Sequence, residues 1–377
     1  MGLLMQTKRI LLASTLGVLS LSAIWVGVHS EVLGQKIQGG KGTLFIGALP
    51  NRMLVIDEST EKIIDEITLA TGAPRLVQSS YNRKRLYVLN ADMKDIEVID
   101  TSSRRTIDTF SLSKGNRVVR IWKYYIDPLE RFIFLLSRSA TKLVDRFEIG
   151  PLALVQYDLK QHKVTNSINW PEKVEPECGR ILFSPDGERL YLFAEDVLIY
   201  DTNKLEKIDI WKISQPVEEG LGRLHLAEND CSVDVVNEEP GFFTNLFTVR
   251  DPLQDRWFMG ITRLNLLEKS MDFYALGPAN EVSFLLAPGR KRAYGVLSKI
   301  GRYEFWTFDL DNRRLHSRKE FLGRPRMELQ ISSNGKLLYI YEANDTIDIY
   351  DAATYEYLRS IPLDADMRGD LQVVPFQ

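Results

Sequence analysis

The chain has 377 residues, of which 44% are hydrophobic and 26% are charged, and its formal net charge is −3 at pH 7. These are ordinary values for a globular protein. A chain that binds nucleic acid normally carries a basic face, so the near-neutral balance argues against a DNA or RNA partner. At this length either several domains or an array of repeats is expected.

Residues 1–30 have the pattern of a targeting segment. Lys8 and Arg9 precede nineteen uncharged residues, 10–28. That length fits both a cleaved signal peptide and a retained signal anchor. Both alternatives export the rest of the chain, either to the periplasm or on a membrane anchor facing the periplasm or exterior. Residues 31–41 are predicted to be a polar linker.

A short strand that ends in an aspartate turn recurs along the chain, first as VIDEST at Asp57 and VIDTSS at Asp100. The later copies have their turn residue at Asp158, Asp201, Asn265, Asp309 and Asp351. The spacings are 43, 58, 43, 64, 44 and 42 residues, which is a period of about 43 with two insertions. Strand-rich repeats of this period are typical of β-propeller blades. A carboxylate that accepts backbone N–H bonds in the turn explains the recurring residue without any catalytic role.

The two ends of the chain are predicted to share one blade. GTLFIGAL, which begins at Gly42, matches the second strand of a blade and has no first strand before it. DLQVVPF at 370–376 matches a first strand and has nothing after it. The sequence therefore predicts an all-β, seven-bladed propeller over residues 42–377, with four antiparallel strands (a to d) per blade and a ring closed by the C-terminal strand.

The two long spacings are assigned to insertions at 137–150 and 238–260, in the b–c connections of blades three and five. All b–c connections of a propeller lie on one face, so both insertions are expected on the face where repeat proteins usually bind partners. Aromatic and arginine side chains in these segments are typical of interface cores. The candidate partner interface consists of Arg138, Phe147, Phe242, Phe243, Arg250, Arg256, Trp257 and Phe258. The alternative is that the rings fold back against their own blade.

The aligned repeats resemble the β subunit of quinohemoprotein amine dehydrogenase and, more loosely, YVTN-type propellers and the heavy chain of methylamine dehydrogenase. The segments that carry the likeness are 49–70 (LPNRMLVIDESTEKIIDEITLA), 242–251 (FFTNLFTVRD), 293–297 (AYGVL) and 349–363 (IYDAATYEYLRSIPL). The resemblance implies a cofactor-free periplasmic propeller. It also implies two partners, a dihaem subunit and a small subunit with a tryptophan-derived quinone.

Motifs for catalysis, metals and cofactors are missing from the sequence. The four histidines have no metal-ligand spacing, and no CxxCH, GxSxG, P-loop or dinucleotide-binding motif occurs. The tryptophans outside the targeting segment are expected to pack between blades. The sequence therefore predicts no catalytic, metal or cofactor-binding residue in this chain. Cys178 and Cys231 form either a bridge, which an exported compartment permits, or two separately buried thiols.

Three functions remain. The first is a non-catalytic scaffold subunit of an exported amine dehydrogenase-like complex. The second is a free-standing propeller that binds a protein or polysaccharide in the cell envelope. The third, a propeller enzyme such as a lactonase, is the weakest because the sequence shows no acid–base pair or metal site.

Overall fold

The computed structural model describes residues 37–376 except 173, 175–178, 217–219, 227–235 and 342–343. Within these residues the chain forms seven antiparallel sheets of four strands each. The predicted seven-bladed propeller is therefore confirmed. Across the same residues, no helix is long and apolar enough to cross a membrane. The targeting segment and both cysteines lie outside the described residues, so their predicted roles stay predictions.

The strands follow one another in chain order, blade by blade. Blade one contains β1 (Thr43–Ala48), β2 (Arg52–Asp57) and β3 (Lys62–Thr68). Blade two contains β4 (Pro74–Ser79), β5 (Arg85–Asn90), β6 (Asp95–Asp100) and β7 (Arg105–Ser111). Blade three contains β8 (Arg117–Ile126), β9 (Phe132–Lys142), β10 (Phe147–Asp158) and β11 (Lys163–Asn169). Blade four contains β12 (Arg180–Phe183), β13 (Arg189–Phe193), β14 (Val197–Asp201) and β15 (Lys207–Trp211).

The remaining blades repeat the same order. Blade five contains β16 (Leu224–Leu226), β17 (Phe242–Asp251), β18 (Arg256–Asn265) and β19 (Ser270–Pro278). Blade six contains β20 (Leu285–Leu286), β21 (Arg292–Lys299), β22 (Arg302–Asp309) and β23 (Arg314–Glu320). Blade seven contains β24 (Glu328–Ile331), β25 (Leu337–Tyr341), β26 (Thr346–Asp351) and β27 (Tyr357–Pro362). The last strand, β28 (Gln372–Val374), returns to blade one.

The hydrophobic core lies between neighbouring blades. Successive side chains of a strand point to opposite sides, and the middle strands are buried on both. Leu44 and Ile46 of β1 pack against blade seven, whereas Phe45 between them packs against blade two. This is why the b strands read as unbroken apolar runs such as TLFIGA rather than as alternating patterns.

The aspartate turns have the predicted mechanism. The Asp57 carboxylate accepts hydrogen bonds from the Thr60 backbone N–H and the Ser59 hydroxyl, both at 2.7 Å. These bonds, that from Ser59 first, hold the pKa of Asp57 below its ordinary value. Four positions after each of the seven turn residues, the backbone is left-handed, with φ between 49° and 60°. His162 occupies that position in blade three, which accounts for its place in the chain without a metal.

The ring closes as the sequence predicts. Strand β28 pairs with β1 from Thr43↔Val374 to Phe45↔Gln372, and Leu371 beside it is fully buried. The Gln372 side chain also bridges to the first strand of blade two. Its Nε2 donates to the Val77 carbonyl at 2.9 Å, and its Oε1 accepts from the Ser79 N–H at 3.2 Å. Side-chain amides thus satisfy backbone groups on the inner edge of the ring, where no further strand is available.

A buried carboxylate completes the seam between blades one and seven. Glu58 is fully buried and accepts from the backbone N–H of Gly42 at 2.8 Å and of Ser333 at 2.7 Å. The Tyr339 hydroxyl donates to it at 3.2 Å. Next to it, Arg359 of blade seven donates to the Glu61 carboxylate at 2.6 Å.

Blades three and five have elongated b–c hairpins. Strands β9 and β10 contain 11 and 12 residues, and β17 and β18 contain 10 each. The extra residues at 137–150 therefore continue the two strands of the hairpin rather than form a loop. The b–c turns and the links between blades lie on one face, called here the b–c face. The a–b and c–d turns lie on the opposite face, called here the a–b face.

The boundary 238–260 predicted for the blade-five insertion is wrong. Residues 242–251 are strand b itself, paired with strand c from Phe242↔Asn265 to Asp251↔Arg256. The run FFTNLFTV is the one buried on both sides, which is the signature of a middle strand in this fold.

Candidate functional site: the channel mouth and the b–c face

The innermost strands surround a central channel. Its inner part has a volume of about 370 Å³ and is lined by residues of several a strands, among them Gln78, Tyr125, Phe183 and Gln330. Both polar and apolar side chains face it. Leu76, Lys123, Glu328 and Asp370 also line a second, wider cavity, so the two cavities lie side by side.

The wider cavity is the mouth of the channel, with a volume of about 810 Å³. It lies at the b–c face, because its lining comes from the starts of the a strands and from the links that lead into them. Its charged lining is mostly basic. The cationic residues are Arg75, Arg120, Lys123, Arg326 and Arg368, and the carboxylates are Glu328 and Asp370. The apolar residues are Leu49, Leu76, Met93, Trp122 and Met367. The mouth is therefore positive although the whole chain has a net charge of −3.

Two β-bulges shape this mouth. In blade two, Pro74 pairs with Asn90 and Leu76 with Leu89, which leaves Arg75 as the extra residue. In blade three, Ile121 pairs with Ser137 and Lys123 with Leu136, which leaves Trp122 as the extra residue. Both extra residues line the mouth. Within the named a and b strands of the described residues, only these two ladders shift register. Bulges re-aim side chains and are common beside functional sites.

The segment before β28 completes the rim of the mouth. The Arg368 N–H donates to the Gly47 carbonyl at 2.8 Å. Gly369 has φ +90°, and a Cβ there would lie 3.2 Å from the Arg75 carbonyl oxygen. Glycine is therefore needed for both the backbone conformation and the close approach. This approach brings Arg368 and Arg75 to the same cavity.

Four arginines of the mouth have no partner within the described part of the chain. The side chains of Arg75, Arg120, Arg326 and Arg368 are exposed and make neither an ion pair nor a hydrogen bond with the described residues. The neighbouring Arg324, in contrast, has partners. Arg324 donates to the Thr346 carbonyl at 2.8 Å and lies 3.4 Å from the Asp348 carboxylate. Lys123, Glu328 and Asp370 also have partners.

Arg138, one of the predicted interface residues, lies beside the mouth. It is exposed in β9 and stands directly opposite Arg120 in the β8–β9 ladder. Like charges that face each other across a ladder are destabilising, by up to about 1 kcal/mol. The fold thus places two cations side by side at the edge of a cavity that is already basic.

The predicted interface residues of blade five divide between the two ends of the hairpin. Arg250 and Trp257 are opposite each other near the tip, on the b–c face. Trp257 is 46% exposed, and its ring centroid lies 5.9 Å from that of His225. Arg250 pairs with Asp255 at 2.5 Å. The Arg256 guanidinium lies 5.6 Å from the ring centroid of Phe258.

Phe242 and Phe243 lie at the other end of the hairpin, at the start of strand b. Phe243 is buried between blades four and five, with its ring centroid 5.2 Å from that of Phe193 and the Arg180 guanidinium 5.0 Å away. Phe242 is half-buried under the Arg263 guanidinium, 4.2 Å from the ring centroid. These two residues therefore lie away from the tip of the hairpin, and their part in an interface stays a prediction.

The most exposed large apolar side chains of the described residues lie on the b–c face. They are Val144, Ile300 and Leu253 in the b–c turns of blades three, six and five, and Leu322 in the link between blades six and seven. Each is at least 89% exposed. Phe147, three residues after Val144 in the chain, is 65% exposed. Exposed apolar residues that concentrate on one face are typical of interaction surfaces.

Sequence reasoning missed the mouth because its arginines come from four separate blades. A signal was present once the strands were aligned. Arg-x-x-x-Gln occurs at 326–330 and 368–372, and Arg-x-x-Gln at 75–78, each at the start of an a strand.

Histidines and acidic residues do not cluster in the described residues. Among them, no group of three His, Cys, Asp or Glu side chains is arranged to hold a metal ion. His225 packs against Trp257, and His316 lies on the outer strand β23. That the chain carries no cofactor stays a prediction.

Solved structures share this fold. The chain is similar to a functionally unknown protein from Desulfotomaculum acetoxidans, with 13% identity, a TM-score of 0.55, and coverage of 90% of this chain and 100% of that one. It is also similar to apo AztD from Citrobacter koseri, with 12% identity, a TM-score of 0.51, and coverage of 90% and 98%. At these identities the likeness concerns the fold alone. No protein-family model matches the chain, and no curated protein matches it.

Proposed function

We propose that the chain is a non-catalytic binding propeller that docks another protein on its b–c face. The observation that carries this proposal is the concentration of the most exposed apolar side chains on that face, at the tips of the hairpins and in a link between blades. A folded monomer gains nothing from rings and branched side chains held in water. Rigid hairpins also present such residues at a low entropic cost of binding.

The finer form of the proposal is a scaffold subunit of an exported amine dehydrogenase-like complex. It is supported by the resemblance in segments such as 349–363 and by the targeting pattern of residues 1–30. The elongated hairpins of blades three and five extend the face on which a haem-bearing subunit and a small quinone-bearing subunit would pack. In this arrangement the propeller positions its partners and contributes no reacting group.

Co-purification from the native cells tests both levels of the proposal. We expect the tagged full-length chain to bring down a haem-bearing protein, visible as a haem absorption band. The double substitution Phe147→Ser and Trp257→Ser should remove most of that band, since truncation of a hot-spot aromatic typically costs about 2 kcal/mol or more, or roughly thirtyfold in affinity. The matched control is Phe376→Ser, which changes an 83% exposed ring located beyond β28 on the a–b face.

The outcomes separate the alternatives. Equal loss in the hairpin variant and in the control would contradict docking on the b–c face. A haem-free partner captured through the same hairpins would keep the docking face. It would replace the amine dehydrogenase assignment with that of a free-standing envelope propeller.

A further inference from the structure

We propose that the channel mouth binds a small organic polyanion that carries two or more carboxylate or phosphate groups. The four mouth arginines Arg75, Arg120, Arg326 and Arg368 would hold its charged groups, and the apolar lining would contact its body. This inference goes beyond the docking face described above and does not depend on it. It rests on the charge, the geometry and the size of the cavity.

The guanidinium groups of the four mouth arginines have no partner among the described residues. Arginine presents a planar fork of donors that matches a carboxylate or phosphate in two parallel hydrogen bonds. Within the described residues the four mouth arginines use none of these donors, while Arg324, two residues from Arg326, donates from both terminal nitrogens to blade seven. Several cations around one concave surface reinforce one another and attract anions.

The placement of these side chains at the mouth also has structural costs. Arg75 is placed by an interruption of its ladder, and Trp122 by another. Arg120 is placed directly opposite a second cation, Arg138. An uninterrupted a strand, as in blades four and seven, would avoid the first cost, and a neutral residue at position 120 would avoid the second. A bound anion offsets both costs.

The cavity also has the size and the mixed lining of a site for a small organic ligand. A volume of about 810 Å³ lies within the range of roughly 300–1,000 Å³ usual for sites of small organic ligands. Such sites combine a largely apolar wall with a few convergent polar groups. Trp122, Met93 and Met367 supply the apolar wall. A compact ligand therefore fits better than a polymer, which would need an open groove rather than a mouth.

Calorimetric titration of the purified full-length chain with citrate and with inorganic pyrophosphate, at fixed ionic strength, tests the proposal. We expect saturable binding of one molecule per chain for at least one probe. The double substitution Arg75→Gln and Arg326→Gln should weaken it by about tenfold or more for each arginine removed. The matched control removes two exposed cations of the a–b face, Arg290→Gln and Lys336→Gln, and should leave the affinity within about twofold.

Binding of citrate alone identifies a carboxylate ligand, and binding of pyrophosphate alone identifies a phosphate ligand. If neither binds at millimolar concentration, or if the control variant loses as much affinity as the mouth variant, the proposal is wrong. If the first variant does not fold, Arg120→Gln with Arg368→Gln makes the same test from the other two arginines. The hairpin substitutions Phe147→Ser and Trp257→Ser should not change the affinity, so this site and the docking face fail independently.

Discussion

The seam between blades one and seven and the channel mouth are both rich in charged side chains, but they use them differently. In the seam, Glu58 is buried and accepts hydrogen bonds from four neutral donors, and Arg359 pairs with Glu61. At the mouth, Arg75 and Arg326 are exposed and have no partner among the described residues. Charge in the seam therefore stabilises the ring, whereas charge at the mouth adds repulsion to it.

The difference teaches where to look for function in a repeat fold. A buried charge that is fully hydrogen-bonded is explained by the fold itself. Cations that converge on a cavity without partners are not explained by it, and a ligand provides the missing partner. Removal of charge or contact should therefore cost stability in the seam and cost none at the mouth.

The largest effect is expected at the ring closure. Deletion of residues 370–377 removes β28 and the fully buried Leu371, and it leaves β1 as an exposed edge. The free energy of unfolding should fall by more than about 2–5 kcal/mol, which is the loss typical of truncating one buried leucine. Thermal melts combined with light scattering should show an earlier transition and aggregation. The control Phe376→Ser should melt like the wild type, and an unchanged melting temperature of the deletion would contradict closure by this strand.

A smaller but still large effect is expected for Glu58→Ala. The substitution leaves the N–H groups of Gly42 and Ser333 and the Tyr339 hydroxyl without their acceptor in a buried place. Buried donors that lose a charged acceptor should destabilise the fold by about 3 kcal/mol or more. Denaturant unfolding measures this loss.

The matched control for the seam is Glu66→Ala. Its exposed ion pair with Arg52 has an N–O distance of 2.9 Å, and exposed pairs contribute about 1 kcal/mol or less. Equal losses for Glu58→Ala and Glu66→Ala would mean that the seam carboxylate is not specially stabilising.

The sequence predicts the ring and its closing seam well, but it does not predict the channel mouth. The period of the Asp57-type turns and the unpaired ends of the chain are local signals, and they predicted seven blades and the closing strand. The prediction for blade five was wrong because strand b at 242–251, rich in aromatic residues, resembled an inserted loop. The mouth depends on residues such as Arg75 and Arg326, which are about 250 positions apart in the sequence and meet only because the ring closes.

A paired carboxylate should also couple stability to pH. Burial alone would raise the pKa of Glu304, but hydrogen bonds from Arg302, Trp306 and Arg318 outweigh it and hold the pKa below the ordinary value. Its contribution is therefore present at neutral pH and is lost as the pH falls below about 4, through the folded-state pKa.

The variant Glu304→Gln tests this coupling. At pH 7 it should cost about 1–3 kcal/mol, as expected for charge-assisted hydrogen bonds. In unfolding curves measured from pH 7 to pH 3, the gap between wild type and variant should narrow as the wild-type carboxyl takes up its proton. A gap that stays constant over this range would show that the ionised form is not what stabilises blade six.

The most direct test of the contrast is the melting temperature of the wild type and Arg120→Gln, each with and without saturating citrate or pyrophosphate. Without an anion, Arg120→Gln should be as stable as the wild type or up to about 1 kcal/mol more stable, because it removes the cross-strand repulsion with Arg138. With the anion, the order should reverse, because the wild type binds it more tightly and gains more stability from it. If Arg120→Gln is the less stable protein without any anion, and the anion does not widen the gap, the mouth arginines are structural and the account is contradicted.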